Sequence, residues 1–442
     1  MMKRTARRTL LATAIAAALT APAAHATVGY FQHGYGDRAK AMGGAGIAYP
    51  QDSIAAATNP AGMVLVGDRM DFGAGVFVPV RDATISGHDP TSIGYPAAMD
   101  ADGSYDLNND ASFPLAHFGY NRMVRPNMSF GVTIYGNGGM NTSYESAIPF
   151  FSGGNPNVAQ GVDLMQLFVA PTLAFKVNDA HAIGVSLVLA AQRFKANGLQ
   201  SFANSGFSRY PTEVTNKGYD MSTGAGVRVG WIGQVAPNVS VGLTYATKTY
   251  MSKFDKYRGL FAEGGDFDIP ANYGIGVAFK ASDRTTVAVD VMRIEYEGVR
   301  SVGNPGPSNA DFTMSGLKPE RRLGETNGLG FGWRDVTAFK LGVAHQYSGQ
   351  LTLRGGLVYN TQPIPASEVM FNSLAPGVIQ KHLTLGATWK LANGGELTIS
   401  YFHAFNEEVT GNWPTALGGG TETIKMYQNA LGISYGMPLG GK

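Results

Sequence analysis

The sequence predicts an all-β fold: a transmembrane antiparallel β-barrel of about fourteen strands with an N-terminal, partly helical plug in its lumen. Three observations carry the prediction. The chain opens with an export signal; apolar side chains then recur at every second position in segments of membrane-spanning length from about Asp71 onward; and the stretch between these two regions does not alternate at all.

The export signal comes first. Met1-Met2-Lys3-Arg4-Thr5-Ala6-Arg7-Arg8 is cationic, Leu10 to Ala18 is apolar, and Ala24-His25-Ala26 supplies small residues for cleavage after Ala26, so residues 1–26 read as a signal peptide. A transit peptide would spread Arg and Ser along an amphipathic helix instead. Export without a single cysteine means that stability must come from burial or from a closed hydrogen-bonded wall. The 59 glycines, 11% aromatics and only 15% charged residues, against roughly 25% in soluble domains, suit a chain partly solvated by lipid. After the signal peptide no run approaches the roughly 18 to 20 apolar residues of a transmembrane helix. A net charge of +2, with no basic block after residue 8, leaves no footprint for nucleic acid.

The barrel is assigned to residues 69–442. From Trp333 to Tyr347 the outward face reads Trp333, Thr337, Phe339, Leu341, Val343 and Tyr347, and the inward face Arg334, Lys340, Gly342, Ala344 and Gln346. The next segment repeats this with Leu351, Leu353, Leu357 and Tyr359 outward and Thr352, Arg354, Gly356 and Asn360 inward. Similar segments span 238–248, 272–280 and 381–391. A soluble sandwich would have strands of only about 5–6 residues. Short turns at Arg125-Pro126-Asn127, Asn178-Asp179, Pro237-Asn238, Ser282-Asp283, Ser348-Gly349 and Asn393-Gly394-Gly395 alternate with long connections around 81–111, 137–163, 197–220, 249–267, 297–331, 363–376 and 409–421. Short turns on one side and long loops on the other place both barrel ends at the periplasm and the loops outside a Gram-negative outer membrane. Trp333, Tyr347, Tyr359, Trp389 and Tyr435 near strand ends are candidates for interfacial girdles.

Residues 27–68 are assigned to the plug. They are rich in Gly and Ala, with helix-start chemistry at Asp52-Ser53 ahead of Ile54-Ala55-Ala56-Ala57. Small side chains over some forty residues suit a compact piece inside a lumen, and a barrel of about fourteen strands has room for one. Within this stretch, Lys40-Ala41-Met42-Gly43-Gly44-Ala45-Gly46-Ile47-Ala48, Asp52-Ser53 and Asn59-Pro60-Ala61-Gly62-Met63 resemble the hatch of the long-chain fatty-acid and aromatic hydrocarbon outer-membrane transporters of the FadL/TodX type. The resemblance is architectural over the mature chain and specific in motif over residues 36–63, with a weaker match over Phe130 to Gly139.

The resemblance implies a hatch motif at Asn59, Pro60, Ala61 and Gly62, and a third strand that bends inward at Tyr135-Gly136-Asn137-Gly138-Gly139 to open a gap in the wall. Glycines also suit a bulge for want of a side chain, although the same run reads equally as the start of an external loop. The implied function is passive transport of a hydrophobic molecule: capture by the third and fourth external loops (about 197–220 and 249–267), binding in the upper barrel, and sideways release after the hatch moves. One departure is the end, Tyr435-Gly436-Met437-Pro438-Leu439-Gly440-Gly441-Lys442, where barrels of this kind usually finish on an aromatic residue.

No catalytic motif is present: H-E-x-x-H, the P-loop and G-x-S-x-G are all missing, Gly44-Ala45-Gly46 lacks a third glycine, and the eight His are scattered, so no enzyme, cofactor or metal is expected. Alternation places Arg228, Lys248, Asp290, Lys340, Arg354 and His382 in the lumen, with Arg228, Lys340 and Arg354 the candidates for holding a carboxylate. A solvated, charged lumen accounts for them equally. Arg193 and Lys195 fall outward beyond the membrane-length strand, where lipopolysaccharide phosphates lie. Ala147-Ile148-Pro149-Phe150-Phe151, Leu199 to Phe207 and Tyr257 to Phe261 place apolar material in segments expected to face water, as capture surfaces or as loop packing. The expected partners are a hydrophobic ligand and outer-membrane lipid, with the protein a monomer. The rival readings are a general aqueous porin and an outer-membrane lipase. The lipase fails because His403 is outward while Ser400, three residues away, faces in.

Overall fold

A computed structural model describes residues 27–440 except 111 and 315, so the signal peptide lies outside the described residues. Fourteen antiparallel strands, each bonded to its neighbour in sequence, form the wall. They are β1 (Arg69–Ser86), β2 (Phe113–Arg125), β3 (Met128–Asn141), β4 (Gly161–Lys176), β5 (His181–Asn197), β6 (Asp220–Ala236) and β7 (Val239–Ala246), then β8 (Asn272–Ser282), β9 (Thr285–Ile294), β10 (Val336–Gln346), β11 (Leu351–Asn360), β12 (Lys381–Lys390), β13 (Glu396–Asn412) and β14 (Thr421–Pro438). The last strand pairs with the first from Arg69↔Pro438 to Ser86↔Thr421, which closes the sheet and removes its edges.

The two faces differ as the alternation requires. Ile183, Val185, Leu187 and Leu189 on β5, Phe339, Leu341 and Val343 on β10, and Leu431 and Ile433 on β14 are exposed on the outside. A belt of this kind needs lipid as its solvent. The inward positions beside them, such as Ser186, Lys340 and Gln428, are buried.

Three parity assignments fail, at two strand ends. Trp333 is not an outward girdle residue: β10 begins only at Val336, and Trp333 lies fully buried in the interior, its indole N–H donating to Asn372 Oδ1 at 2.5 Å. Arg334 accordingly sits in an exposed loop, where its guanidinium reaches Glu297. Lys248 is beyond the end of β7 and bonds Gly298 O at 2.7 Å in an external loop, not in the lumen. In both cases the periodic pattern runs past the point where the backbone leaves the ladder.

The residues before Arg69 fold into the barrel interior. Only short pieces are regular: a helical turn at Asp37–Lys40, a 3-10 turn at Ala55–Ala57 in place of a longer helix, a 3-10 turn at Pro60–Gly62 and a helical turn at Met63–Val66. Asp52 Oδ1 accepts from the Ile54 N–H at 3.0 Å just ahead of the Ala55–Ala57 turn, whose N-cap position is Ile54 and carries no side-chain cap bond. With so few internal backbone bonds, the segment relies on the wall to satisfy its polar groups. Asp290 Oδ2 accepts from the N–H groups of Gly46 (2.7 Å) and Ile47 (3.0 Å), Thr384 Oγ1 accepts from Gly43 N–H (2.9 Å), and Asp71 Oδ2 accepts from Ser53 N–H (2.9 Å).

Candidate functional site

The Asn59-Pro60-Ala61-Gly62 motif is a close seat between this segment and the wall. Asn59 Oδ1 accepts from Ala61 N–H at 3.1 Å, capping the turn that Pro60 starts. Its Nδ2 donates to Ile47 O (2.8 Å) within the segment and to Trp231 O (3.1 Å) and Leu243 O (3.2 Å) on β6 and β7. The wall opposite is glycine: a Cβ on Gly230 would overlap Asn59 Oδ1, and one on Gly184 would overlap the Pro60 backbone. These two wall residues escaped the sequence reading. Their only signal was glycine at an inward-facing strand position.

The run Tyr135-Gly136-Asn137-Gly138-Gly139 lies within β3, not at the start of a loop. Pairing with β2 ends at His117↔Tyr135, although β2 continues back to Phe113 and bonds β1 there. On its other edge β3 stays paired to β4, with a bulge that takes Gly136↔Leu167 to Gly138↔Gln166 and leaves Asn137 over. The freed edge is taken up by the N-terminal segment: Gly139 N–H donates to Tyr30 O at 3.0 Å and Gln32 N–H to Asn137 O at 3.2 Å. A side chain at Gly138 would collide with Tyr30 O. A niche of about 40 Å³ therefore sits between β2 and β4, with Pro114, Ala116, His117, Leu167 and the Tyr135-Gly136 backbone around it and Tyr35 and Lys40 at its inner end. The β2 side of this niche was not legible beforehand, because it depends on where the β2–β3 register stops.

From the bulge a line of side-chain hydrogen bonds runs upward. Tyr35 Oη donates to Asn137 Oδ1 (2.9 Å), Asn137 Nδ2 to Gln166 Oε1 (3.0 Å), Gln166 Nε2 to Gln192 Oε1 (3.1 Å), and Gln192 Nε2 to Phe267 O (2.8 Å) in the fourth external loop. Each link is buried, so a shift at either end leaves a polar group unpaired at a cost of about 1–3 kcal/mol.

The apolar loop segments do not face water. Ile148, Phe150, Phe151, Leu199, Phe202, Tyr257 and Phe261 are all buried in a cap over the barrel, the rings packed edge-to-face or tilted. Apolar area so extensive is more favourably removed from water by loop-on-loop packing than left exposed. Within the cap lies a second cavity of about 40 Å³, lined by Phe194, Leu199, Phe202, Leu260, Phe261, Leu329, Phe331, Phe371 and other apolar side chains. Its one polar lining side chain, Ser301, is already bonded to Asp266 O.

None of Arg228, Lys340 and Arg354 lines that cavity. All three are buried in the lumen below it, against the N-terminal segment: Arg228 Nη1 donates to Thr58 O (3.3 Å), Arg354 Nε to Gln51 Oε1 (2.8 Å), and Lys340 stands across the ladder from Asp290 with Met292 Sδ at 3.7 Å. His382 faces His33, ring centroids 5.5 Å apart. Burial first, then His382, Lys40 and Lys340 nearby, holds the His33 imidazole well below its ordinary range, so it is neutral. Outside, Arg193 and Lys195 stack on the Tyr219 ring at 4.7 and 5.0 Å. Ser400 donates inward to Asp37 Oδ1 (2.8 Å) while His403 bonds Asn429 on β14, so no Ser–His pair forms.

A closed barrel with a lipid-facing belt, filled by its own N-terminal segment and capped by an apolar cavity, defines a plugged outer-membrane transport barrel. The chain belongs to the outer membrane protein transport protein family (OMPP1/FadL/TodX), whose model matches residues 14–437. It is similar in fold to the Pseudomonas putida toluene transporter TodX (17% identity, 93% of this chain and 100% of that one, TM-score 0.65). It also resembles a Pseudomonas aeruginosa FadL homologue (14%, 93% and 99%, 0.66) and the Ralstonia pickettii toluene transporter TbuX (18%, 92% and 99%, 0.63). No curated protein matches the sequence. The family is one of outer-membrane transport proteins, and the chain is not an enzyme.

Proposed function

We propose that this chain is a passive carrier of a hydrophobic molecule such as a long-chain fatty acid, an aromatic hydrocarbon or a related ester. The third and fourth external loops (198–219 and 247–271) capture the ligand, the apolar side chains around the cap cavity part to bind it, and residues 27–68 act as the hatch whose movement lets it leave sideways between β2 and β3 into the membrane. The observation that carries this reading is the break in the ladder beyond His117↔Tyr135, where the hatch backbone occupies the edge that β2 leaves free. The hydrogen-bonded line from Tyr35 to Phe267 supports coupling between loop and hatch. The ligand moves down its own gradient, so no energy source is needed. The protein acts as a monomer, with Arg193 and Lys195 meeting lipopolysaccharide phosphates at the rim.

The test is to fill the opening. Gly136 has room for a side chain, since a Cβ there meets nothing closer than Gln32 Nε2 at 3.6 Å. Gly136→Trp, or deletion of Gly136 to Gly139, is expected to reduce ligand uptake into cells strongly while the barrel still folds. Uptake at the level of the unaltered protein removes the sideways exit. Planar-bilayer conductance separates this reading from an aqueous porin: a hatched barrel conducts ions poorly, and a steady large conductance makes it a porin.

A further inference from the structure

The inner end of the side opening holds two donors with nothing to bond. Lys40, at the end of the Asp37–Lys40 turn, lines the niche and is only 7% exposed, yet its ammonium makes no hydrogen bond or ion pair among the described residues. The Tyr135 hydroxyl, on a residue 2% exposed in the same niche, donates to no acceptor among the described residues; the Arg228 guanidinium beside it can only donate. The other polar groups there are committed: Gln32 Nε2 donates to Gly136 O (2.6 Å) and Tyr35 Oη to Asn137 Oδ1 (2.9 Å). Asp37 is the acid whose charge reaches Lys40; its Oδ1 accepts from Ser400, while its Oδ2, 3.8 Å from His117 Nε2, accepts no hydrogen bond and forms no ion pair with Lys40. Arg228 adds positive charge from the lumen side, acting on both Tyr35 and Tyr135.

A buried ammonium without a partner is costly, and such groups persist where something else supplies the counter-charge. The outer mouth of the niche, by contrast, is apolar, framed by Pro114 and Ala116 from β2 and Leu167 from β4. The niche is thus amphipathic along the direction of exit: cation and hydroxyl inside, hydrocarbon outside. Its 40 Å³ holds roughly three water-sized spaces, enough for a small polar head but not for a chain.

We propose that Lys40, with the Tyr135 hydroxyl, binds the carboxylate of the transported molecule at the inner end of the side opening while its tail enters the membrane between β2 and β3. The substrate class is then amphipathic carboxylates, with neutral hydrocarbons as poorer cargo. This rests on the sideways-exit reading above. The ammonium gives a charge-assisted bond, and Tyr135 a second donor to the same group.

The experiment compares uptake of decanoate and methyl decanoate by cells carrying the full-length protein, its Lys40→Met, Lys40→Arg and Tyr135→Phe variants, and Gly136→Trp. Heat-modifiable gel mobility checks that each barrel is folded. Loss of one charge-assisted bond predicts that the acid-to-ester ratio falls about tenfold in Lys40→Met, less in Tyr135→Phe, and returns in Lys40→Arg. If acid and ester uptake change in parallel in Lys40→Met, Lys40 only packs the hatch and the proposal is overturned, even though Gly136→Trp blocks both compounds. If Gly136→Trp transports both normally, the side passage fails, and this inference with it.

Discussion

Asn59→Ala is the sharpest perturbation of the hatch. The amide makes a cap to Ala61 N–H and shares its two N–H donors among Ile47 O, Trp231 O and Leu243 O. Two of those acceptors belong to the wall, so the side chain fastens the hatch to β6 and β7 as well as folding it. The two bonds to the wall, at about 1 kcal/mol each, give about 2 kcal/mol of lost seating energy. At about 1.4 kcal/mol per factor of ten, an unseated hatch becomes roughly thirty times more populated. Truncation also removes the atom that fills the space over Gly230, so a small void remains beside the backbone. The assay is conductance of the purified barrel in planar bilayers, paired with limited proteolysis from the periplasmic side. Expected are frequent brief openings and cleavage within residues 27–68, with the barrel intact. A variant as silent and as protease-resistant as the unaltered protein would refute the claim that this motif holds the hatch in place.

Two further outcomes follow from the loop cap. Phe261→Ala removes a ring packed on Phe194 (4.6 Å) and Phe267 (4.8 Å) and should cost the cap about 3–5 kcal/mol, read as faster protease nicking of residues 247–271 and weaker retention of a hydrophobic ligand. In the same loop, burial, with Asp268 and Glu263 close by, pushes the Asp266 carboxyl up to about 6. Its folded value lies above the unfolded one near 4, so the folded loop binds the proton more tightly. Stability contributed this way is present at about pH 4 and is lost as pH rises through about 6. Nicking of 247–271 should therefore quicken between those values, and Asp266→Asn should flatten the dependence; a profile that Asp266→Asn leaves unaltered assigns the titration elsewhere.

The wall was legible because its physics is local. A strand between lipid and a filled lumen must alternate, and turns of Asn, Asp, Gly and Pro mark its periplasmic ends, so Phe339, Leu341 and Val343 announce their face without reference to any other strand. The plug was legible from composition for a similar reason. Close approach of two backbones demands small residues, and the Gly/Ala block of residues 27–68 supplies them. Alternation cannot, however, report where a strand stops. Trp333 and Lys248 continue the pattern of β10 and β7 after the chain has left the ladder, and so their faces were misread.

Chemistry that depends on two distant segments meeting was decided by tertiary structure alone. Asp290 reads as one more lumen charge until Gly46 and Ile47 bring their N–H groups to it; Arg228 and Arg354 read as free cations until Thr58 and Gln51 take them. The loop phenylalanines read as capture surface or loop packing alike until Phe150 closes on Phe202 and Phe261 on Phe194 and Phe267, because burial belongs to the assembly and not to any one loop. The break in the ladder is the clearest instance. Sequence marked the glycines of β3, but the break exists only because β2 keeps pairing with β1 after it has parted from β3, a matter of register between strands that neither strand encodes by itself.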